Sequence, residues 1–246
     1  IKEMLTSIQE KYNILDVTNI ADMANEQSVS EALSSCQVEG AVVTLAETLE
    51  VLRGKRADTK SKKMVVNTLD AIQELRLMNT VYPNLQQMCK LWHIVTKDVC
   101  ENEDVKGEPY RTGSIIVGSD SRVIYQPPLH QSVPGLMESL YNFALNNEYS
   151  PLITASIVHF YFVYIHPFCD GNGRVARLLL TNYLVKNGYE KFERISLTTS
   201  IQKYLSDYYT TILECEESKD LTSFIVYYLD VIDRTLDAAL DGFNPR

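Results

Sequence analysis

The stretch PLITASIVHFYFVYI, from Pro151 to Ile165, constrains this chain more than any other. Pro151 suits a first helical turn, where its missing N–H would have no intrahelical acceptor anyway. Pro167 cannot extend a helix and restricts the residue before it, so the helix ends at about His166. The residues between are apolar on every face. Such a helix has no side to present to water and must lie at the centre of the fold, wrapped by other elements. Its longest apolar run, Ile157 to Ile165, is well short of the ~18–20 residues that a membrane span needs.

Directly after it comes HPFCDGNGRVAR, His166 to Arg177. His166 is held at the carboxyl end of a rigid buried element, where its imidazole still reaches solvent. In Asp170-Gly171-Asn172-Gly173 the two glycines allow positive φ and close backbone approach, so consecutive N–H groups can point into one concavity. The chain then enters a helix, RVARLLLTNYLVKNG, closed by Gly188. Its amino end contributes orphan N–H groups and partial positive charge. Gly171, Asn172 and Gly173 thus make an anion cradle. Arg174 and Arg177, three apart, can fork onto phosphate oxygens, and two arginines opposing the dipole of a first turn call for a compensating anion. Asp170 beside such a cradle is a natural Mg²⁺ ligand, because Mg²⁺ takes one or two carboxylates plus phosphate oxygens. A neutral imidazole with a pKa near ~6.5 can take a proton from an attacking hydroxyl. Singly, these residues also read as a cap, a turn and surface charges. In one contiguous string they point to phosphoryl or nucleotidyl transfer. Cys169, inside the same string, has turn residues on both sides and no His or Asn partner at a recognisable spacing, so it is not read as a nucleophile.

Helical spacing dominates elsewhere: Val29 to Cys36, Thr44 to Gly54, Met64 to Met78, Leu85 to about Val99, Val133 to Ala144, Ile201 to Cys215 and Thr222 to Ala239. Gly40 and Gly54 stand where helices end and a left-handed residue is wanted. Lys55 to Lys63 (KRADTKSKK) reads as a solvated loop or helix start. Only GSIIVGSDSRVIYQPP breaks the texture, with β-branched residues on both sides of a turn cluster and two prolines to stop it: a β-hairpin over Ser114 to Gln126. The expected fold is therefore mainly α, a helical bundle around a buried central helix carrying one hairpin.

The 246 residues carry a formal net charge of −9, which argues against a broad nucleic-acid surface. A small phosphorylated ligand needs only two or three placed groups. Five scattered cysteines without a CxxC pair fit free thiols in a reducing compartment, hence a cytoplasmic setting and no membrane association. No signal peptide is visible, and the chain opens on Ile1.

HPFCDGNGRVAR resembles the signature of Fic-domain proteins, His-x-Phe-x-Asp/Glu-Gly-Asn-Gly-Arg-x-x-Arg, with every fixed position filled, and the likeness in texture runs from about Leu85 to Asp230. It implies a Fic fold with an amino-terminal helical region over 1–84, a catalytic domain over 85–232 and a helical tail over 233–246. It also implies protein adenylyltransferase activity, the transfer of AMP from ATP to a Tyr, Ser or Thr hydroxyl of a protein target. On that likeness His166 is the general base, Phe168 anchors the loop, and Asp170 holds Mg²⁺ between the α- and β-phosphates. Gly171, Asn172 and Gly173 form the anion hole, Arg174 meets the β-phosphate and Arg177 the γ-phosphate. The hairpin, with Ser114, Ile115, Ile116, Val117, Val123, Ile124 and Tyr125, would be a flap that docks the target by strand addition. Alternatives on the same fold are removal of AMP, transfer of another phosphate-containing group, and a nucleotide-sensing module without turnover. Gly173 argues against the phosphate-transferring version, which usually has a Lys there.

SCQVEG, Ser35 to Gly40, resembles the family's inhibitory helix pattern, Ser/Thr-x-x-x-Glu-Gly/Asn, in a helix of about 28–40. Ser35 and Glu39 are four apart and share a helix face. By resemblance Glu39 pairs with Arg177 and withholds it from the γ-phosphate. Gln37-Val38 departs from the more apolar pair expected there. Homo-oligomerisation is compatible with the sequence but not specified by it.

Overall fold

The computed structural model describes residues 1–17, 24–100, 110–119 and 122–243. The run from Pro151 is helix α7 (Pro151–Ile165), capped by the Ser150 hydroxyl, which accepts from the Ile153 N–H. Leu152, Ala155, Val158, His159, Phe160, Phe162 and Ile165 are buried, and only the side carrying Ile153, Ile157, Tyr161 and Tyr164 is partly open, with Tyr161 exposed. Its neighbours are α6 (Val133–Leu145), α8 (Asn172–Lys186) and α11 (Thr222–Phe243). A helix without a polar face ends up inside the bundle because any other location would leave apolar surface in water.

Helix α1 (Lys2–Ile14) lies against α11 and sends Ile8 and Tyr12 into the same core as α7. Leu236 of α11 is fully buried in that core, so the boundary expected at 232 and 233 falls inside one continuous helix. A smaller apolar cluster joins Val29, Ala32, Leu33 and Cys36 of α2 (Ala24–Val38) to Met64, Val65 and Leu69 of α4 (Lys60–Leu77). Helix α3 (Leu45–Leu52) opens on a capping box between Thr44 and Glu47, and α5 (Leu85–Thr96) on one between Asn84 and Gln87. The glycines expected past helix ends have positive φ: Gly40 +82°, Gly54 +103° and Gly188 +93°.

Several boundaries differ from the sequence expectation. Helix α5 stops at Thr96, with Asp98 turning the chain at φ +56°. The helix expected over Ile201 to Cys215 is two helices, α9 (Leu197–Lys203) and α10 (Leu205–Ser218), because Tyr204 leaves helical geometry at ψ 38°. The basic stretch from Lys55 is loop only as far as Thr59, whose hydroxyl caps α4. Strands β1 (Val117–Ser119) and β2 (Arg122–Tyr125) pair antiparallel, Val117 opposite Tyr125 and Ser119 opposite Arg122. They are shorter than the expected hairpin. Residues 114–116 are outside the pairing, since Pro127 and Pro128 have no N–H with which to continue the ladder. The turn residues 120 and 121 lie outside the described residues.

Candidate active site

His166 is the C-cap of α7, in the left-handed region at φ +50°. Its N–H reaches back to the Phe162 carbonyl at 3.1 Å, closing the last turn. Its Nδ1 lies 3.3 Å from the Val163 carbonyl. A carbonyl can only accept, so Nδ1 carries the proton and Nε2 keeps its lone pair. Burial holds the imidazole pKa below its ordinary value, with the Arg111 charge acting in the same sense. The Val163 carbonyl, Glu39 and Asp170 oppose this without reversing it. At neutral pH the ring is a neutral base.

The loop after His166 is held from beneath. Phe168 is buried and stacked on Trp92, with centroids 5.0 Å apart and planes 9° from parallel. Trp92 Nε1 donates to the Asp170 carbonyl at 3.0 Å. The Asn172 amide bonds both ways with the Phe168 backbone, accepting from its N–H at 2.9 Å and donating to its carbonyl at 2.8 Å. The side chain of Asn172 therefore staples the loop, and its backbone N–H is what remains for an anion. Gly171 is the N-cap of α8 at φ +78°, and a Cβ there would also meet Thr96 Cγ2 at 3.0 Å. Two independent reasons thus require glycine. The helix starts at Asn172, two residues before the Arg174 at which RVARLLLTNYLVKNG begins.

The Asp170 side chain is 40% exposed. Its Oδ1 accepts from the Gly171 N–H at 2.5 Å and from Arg174 Nη2 at 3.4 Å. Oδ2 has no hydrogen-bond partner among the described residues. No group of three or more metal-ligating side chains occurs among them either. One outward carboxylate oxygen beside an anion cradle fits a Mg²⁺ ion that takes its other ligands from phosphate and water. Cys169 sits at the same loop with its Sγ 3.8 Å from that of Cys100, and burial pushes its thiol up to about 12. A thiol so firmly protonated is no nucleophile.

The two arginines of the string have different fates. Arg174 is 2% exposed and turned into the fold, donating from Nη1 to the Val95 carbonyl at 2.9 Å. Its Nε is buried without a partner among the described residues. Arg177, 1% exposed, faces α2 instead. Its Nε donates to Ser35 Oγ at 2.9 Å, and its Nη2 to the Ser35 carbonyl at 2.8 Å and to Glu39 Oε1 at 2.7 Å. Helix α2 ends at Val38, so Glu39 follows its last residue, yet it meets Arg177 on the same side as Ser35. The end is a Schellman closure: the Gly40 N–H goes to the Gln37 carbonyl and the Ala41 N–H to that of Cys36, with Gly40 left-handed. A carboxylate at a helix carboxyl end opposes the dipole, and here a buried guanidinium compensates it. The departure at Gln37-Val38 has a structural use: Gln37 bonds the Val43 carbonyl and the Gln202 amide.

Glu39 also reaches the amino end of α8. A Cβ built on Gly173 would lie 2.1 Å from Glu39 Oε1. The carboxylate therefore stands where the first turn of α8 offers its N–H groups, in the cradle expected for an anion.

Among the hairpin residues, Ser114 and Ile116 are exposed and Ile115 is half-buried. Val117, Val123 and Ile124 lie in the two strands. Tyr125 faces inward: it is buried and its hydroxyl donates to the Tyr164 carbonyl at 2.6 Å. Trp92, Thr96 and Arg111 support the loop from behind and were not found from the sequence, because each sits in an ordinary helical or loop context far along the chain from the loop it supports.

Residues 82–184 match the family model described as the Fic/DOC family. That segment, with the signature His166–Arg177 inside it, is similar to a Fic domain. The chain is 28% identical, over 251 residues, to the protein adenylyltransferase Fic of Drosophila mojavensis, an alignment that covers 96% of this chain and 47% of that protein. The chain thus spans about half the length of the curated relatives it matches. A Fic family protein from Desulfovibrio desulfuricans G20 superposes with a TM-score of 0.88 at 22% identity, covering 99% of this chain and 75% of that one. A Fic domain-containing signalling protein from Bacteroides thetaiotaomicron superposes with a TM-score of 0.76 at 19% identity, covering 98% and 95%. Among the described residues no helix is long and apolar enough to cross a membrane.

Proposed function

We propose that this chain is a protein adenylyltransferase that moves AMP from ATP to a hydroxyl side chain of a protein target, restrained in cis by Glu39. The observation that carries the reading is one juxtaposition. The unprotonated Nε2 of His166 stands at the carboxyl end of α7, while the amino end of α8, five to eight residues on, already attracts an anion in the form of Glu39. A base beside an anion hole is what in-line transfer of a phosphate ester requires. His166 Nε2 takes the proton of the acceptor hydroxyl as its oxygen bonds to the α-phosphorus. The bond from that phosphorus to the bridging oxygen breaks, and pyrophosphate leaves with the electron pair. The N–H groups at the start of α8 hold the charge that builds on the phosphate oxygens. Asp170 would hold a Mg²⁺ ion, which would neutralise phosphate charge when bound. The choice of AMP is supported by the Drosophila relatives, which are protein adenylyltransferases by name.

In this reading the Glu39 carboxylate withholds Arg177 from the terminal phosphate. The hairpin is the target-docking edge, with Tyr125 as its anchor. A second reading, hydrolytic removal of AMP, is favoured by the same carboxylate: the side chain is 33% exposed and is well located to orient a water molecule. The experiment is incorporation of label from ATP labelled in its α-phosphate. Glu39→Gly should raise self-labelling and His166→Ala should abolish it, whereas an unaltered signal in both removes the assignment. Release of AMP from an AMPylated protein by the unmutated chain would favour the second reading.

A further inference from the structure

The carboxyl end of α7 leaves a run of carbonyls to be satisfied. Phe162 and Val163 are satisfied by His166 itself, through its N–H and Nδ1. The next four carbonyls all accept from the arms of the hairpin. That of Tyr164 accepts from the Tyr125 hydroxyl at 2.6 Å. That of Ile165 accepts from Arg111 Nη2 at 3.4 Å, and that of His166 from Arg111 Nε at 2.8 Å. That of Pro167 accepts from the Arg111 backbone N–H at 2.9 Å. The rest of the guanidinium binds the hairpin's two ends: Nη1 donates to the Gly113 carbonyl at 2.9 Å and Nη2 to that of Pro128 at 2.5 Å. Arg111 is 4% exposed, and among the described residues its side chain donates only to carbonyls. A planar fork with five donors can hold four such acceptors in one fixed arrangement; an ammonium on a flexible stem cannot.

We propose that Arg111 is a positioning residue that fixes the docking edge of the hairpin relative to His166. One guanidinium spans the entry to the hairpin, its exit and the carbonyl of the base. It therefore sets how far an acceptor hydroxyl on a docked strand lies from Nε2, and Tyr125 supplies the same restraint from the second strand. The inference rests on the adenylyltransferase reading and adds the residue that gives protein hydroxyls precedence over water. Transfer to water needs the base and the anion hole but no docked strand. Misplacement of the hairpin should thus lower transfer to protein and spare hydrolysis of ATP to AMP and pyrophosphate.

The test uses the full chain carrying Glu39→Gly, with ATP labelled in its α-phosphate. Label on the protein and AMP released to water are measured in the same reaction. Arg111→Lys keeps the charge and the backbone bond to Pro167 but loses the fork. It should lower protein labelling at least tenfold while AMP release changes less than threefold. A fraction of unfolded enzyme lowers both equally, so an unchanged ratio overturns the proposal, as does an unchanged rate of labelling. If Arg111→Lys does not fold, Tyr125→Phe decides: it deletes a single hydroxyl and should lower the ratio at least threefold, and no change refutes the proposal. A Glu39→Gly parent that neither labels itself nor releases AMP defeats the enzymatic reading and this inference with it. A parent that labels while the ratio stays fixed in both variants defeats the inference alone.

Discussion

Gly173→Ala should be destabilising or close to neutral according to what stands at residue 39. The new Cβ would lie 2.1 Å from Glu39 Oε1 and 3.0 Å from both Glu39 Cδ and Arg177 Nη1. Ordinary contacts are about 3.5 Å, so Glu39 must withdraw. It is the far end of a flexible side chain and can do so without moving the backbone, at the cost of its 2.7 Å pair with Arg177. Removing one partner of a fully buried pair costs about 3–5 kcal/mol. Here the Glu39 side chain is 33% exposed and recovers hydration, and Arg177 keeps both acceptors on Ser35. A loss of about 2–3 kcal/mol is therefore expected. Against it, alanine gains up to about 1 kcal/mol over glycine in a helix, and Gly173 is not in the left-handed region. The net effect in the wild-type chain is a destabilisation of about 1–2 kcal/mol. With Glu39→Gly in place the 2.1 Å clash is gone and only the 3.0 Å approach to the end of the Arg177 side chain is left, so Gly173→Ala should be close to neutral, within about 1 kcal/mol. Urea unfolding of the four proteins closes the cycle. An equal cost in both backgrounds, with coupling below about 0.5 kcal/mol, would show that Glu39 does not occupy the start of α8 in solution.

Two further outcomes follow from buried groups. Glu31 of α2 is buried and accepts from Ser196 Oγ at 2.6 Å, from the Thr198 N–H at 3.2 Å and from the Thr198 hydroxyl. Glu31→Gln turns an amide toward donors and should destabilise the chain by about 1–3 kcal/mol, with faster hydrogen exchange in α2; unchanged exchange would mean that this carboxylate does not hold the helix. His159, buried against Tyr208 and the Ala176 carbonyl, has its pKa lowered to about 3, first by burial and then by the Arg177 charge. Because the folded value lies below the unfolded one of about 6.5, its contribution is complete above about pH 6.5 and is lost as pH falls toward about 3. Between pH 6.5 and pH 4 that is about 3 kcal/mol, and His159→Gln should flatten the decline; parallel stability curves would refute it.

Several features of the site were legible because they are local. An all-apolar helix between two prolines cannot lie on a surface, and the residue at its carboxyl end is necessarily presented at the edge of the core. Gly40 marks the end of α2; of the two glycines read as allowing positive φ, only Gly171 adopts it, and Gly173 lies inside α8. The extent of the hairpin was less legible, since the two prolines were visible but not the register, Val117 opposite Tyr125, that leaves residues 114–116 without a partner strand. The join at Tyr204 was hidden because nothing in its composition breaks a helix.

By itself, then, the order of residues determined where a base, a carboxylate, two glycines and two arginines would follow one another around the turn from α7 to α8. It could not assign those arginines their partners. Equal in type and three apart, Arg174 binds the end of α5 and Arg177 binds α2, because the bundle presents different neighbours to each. Nor could it find Trp92 or Arg111, which act on the loop from 78 and 55 residues away. Periodicity reports which side of an element faces inward. Which buried group meets which is settled only when the helices close around α7 and each orphaned carbonyl must find a donor.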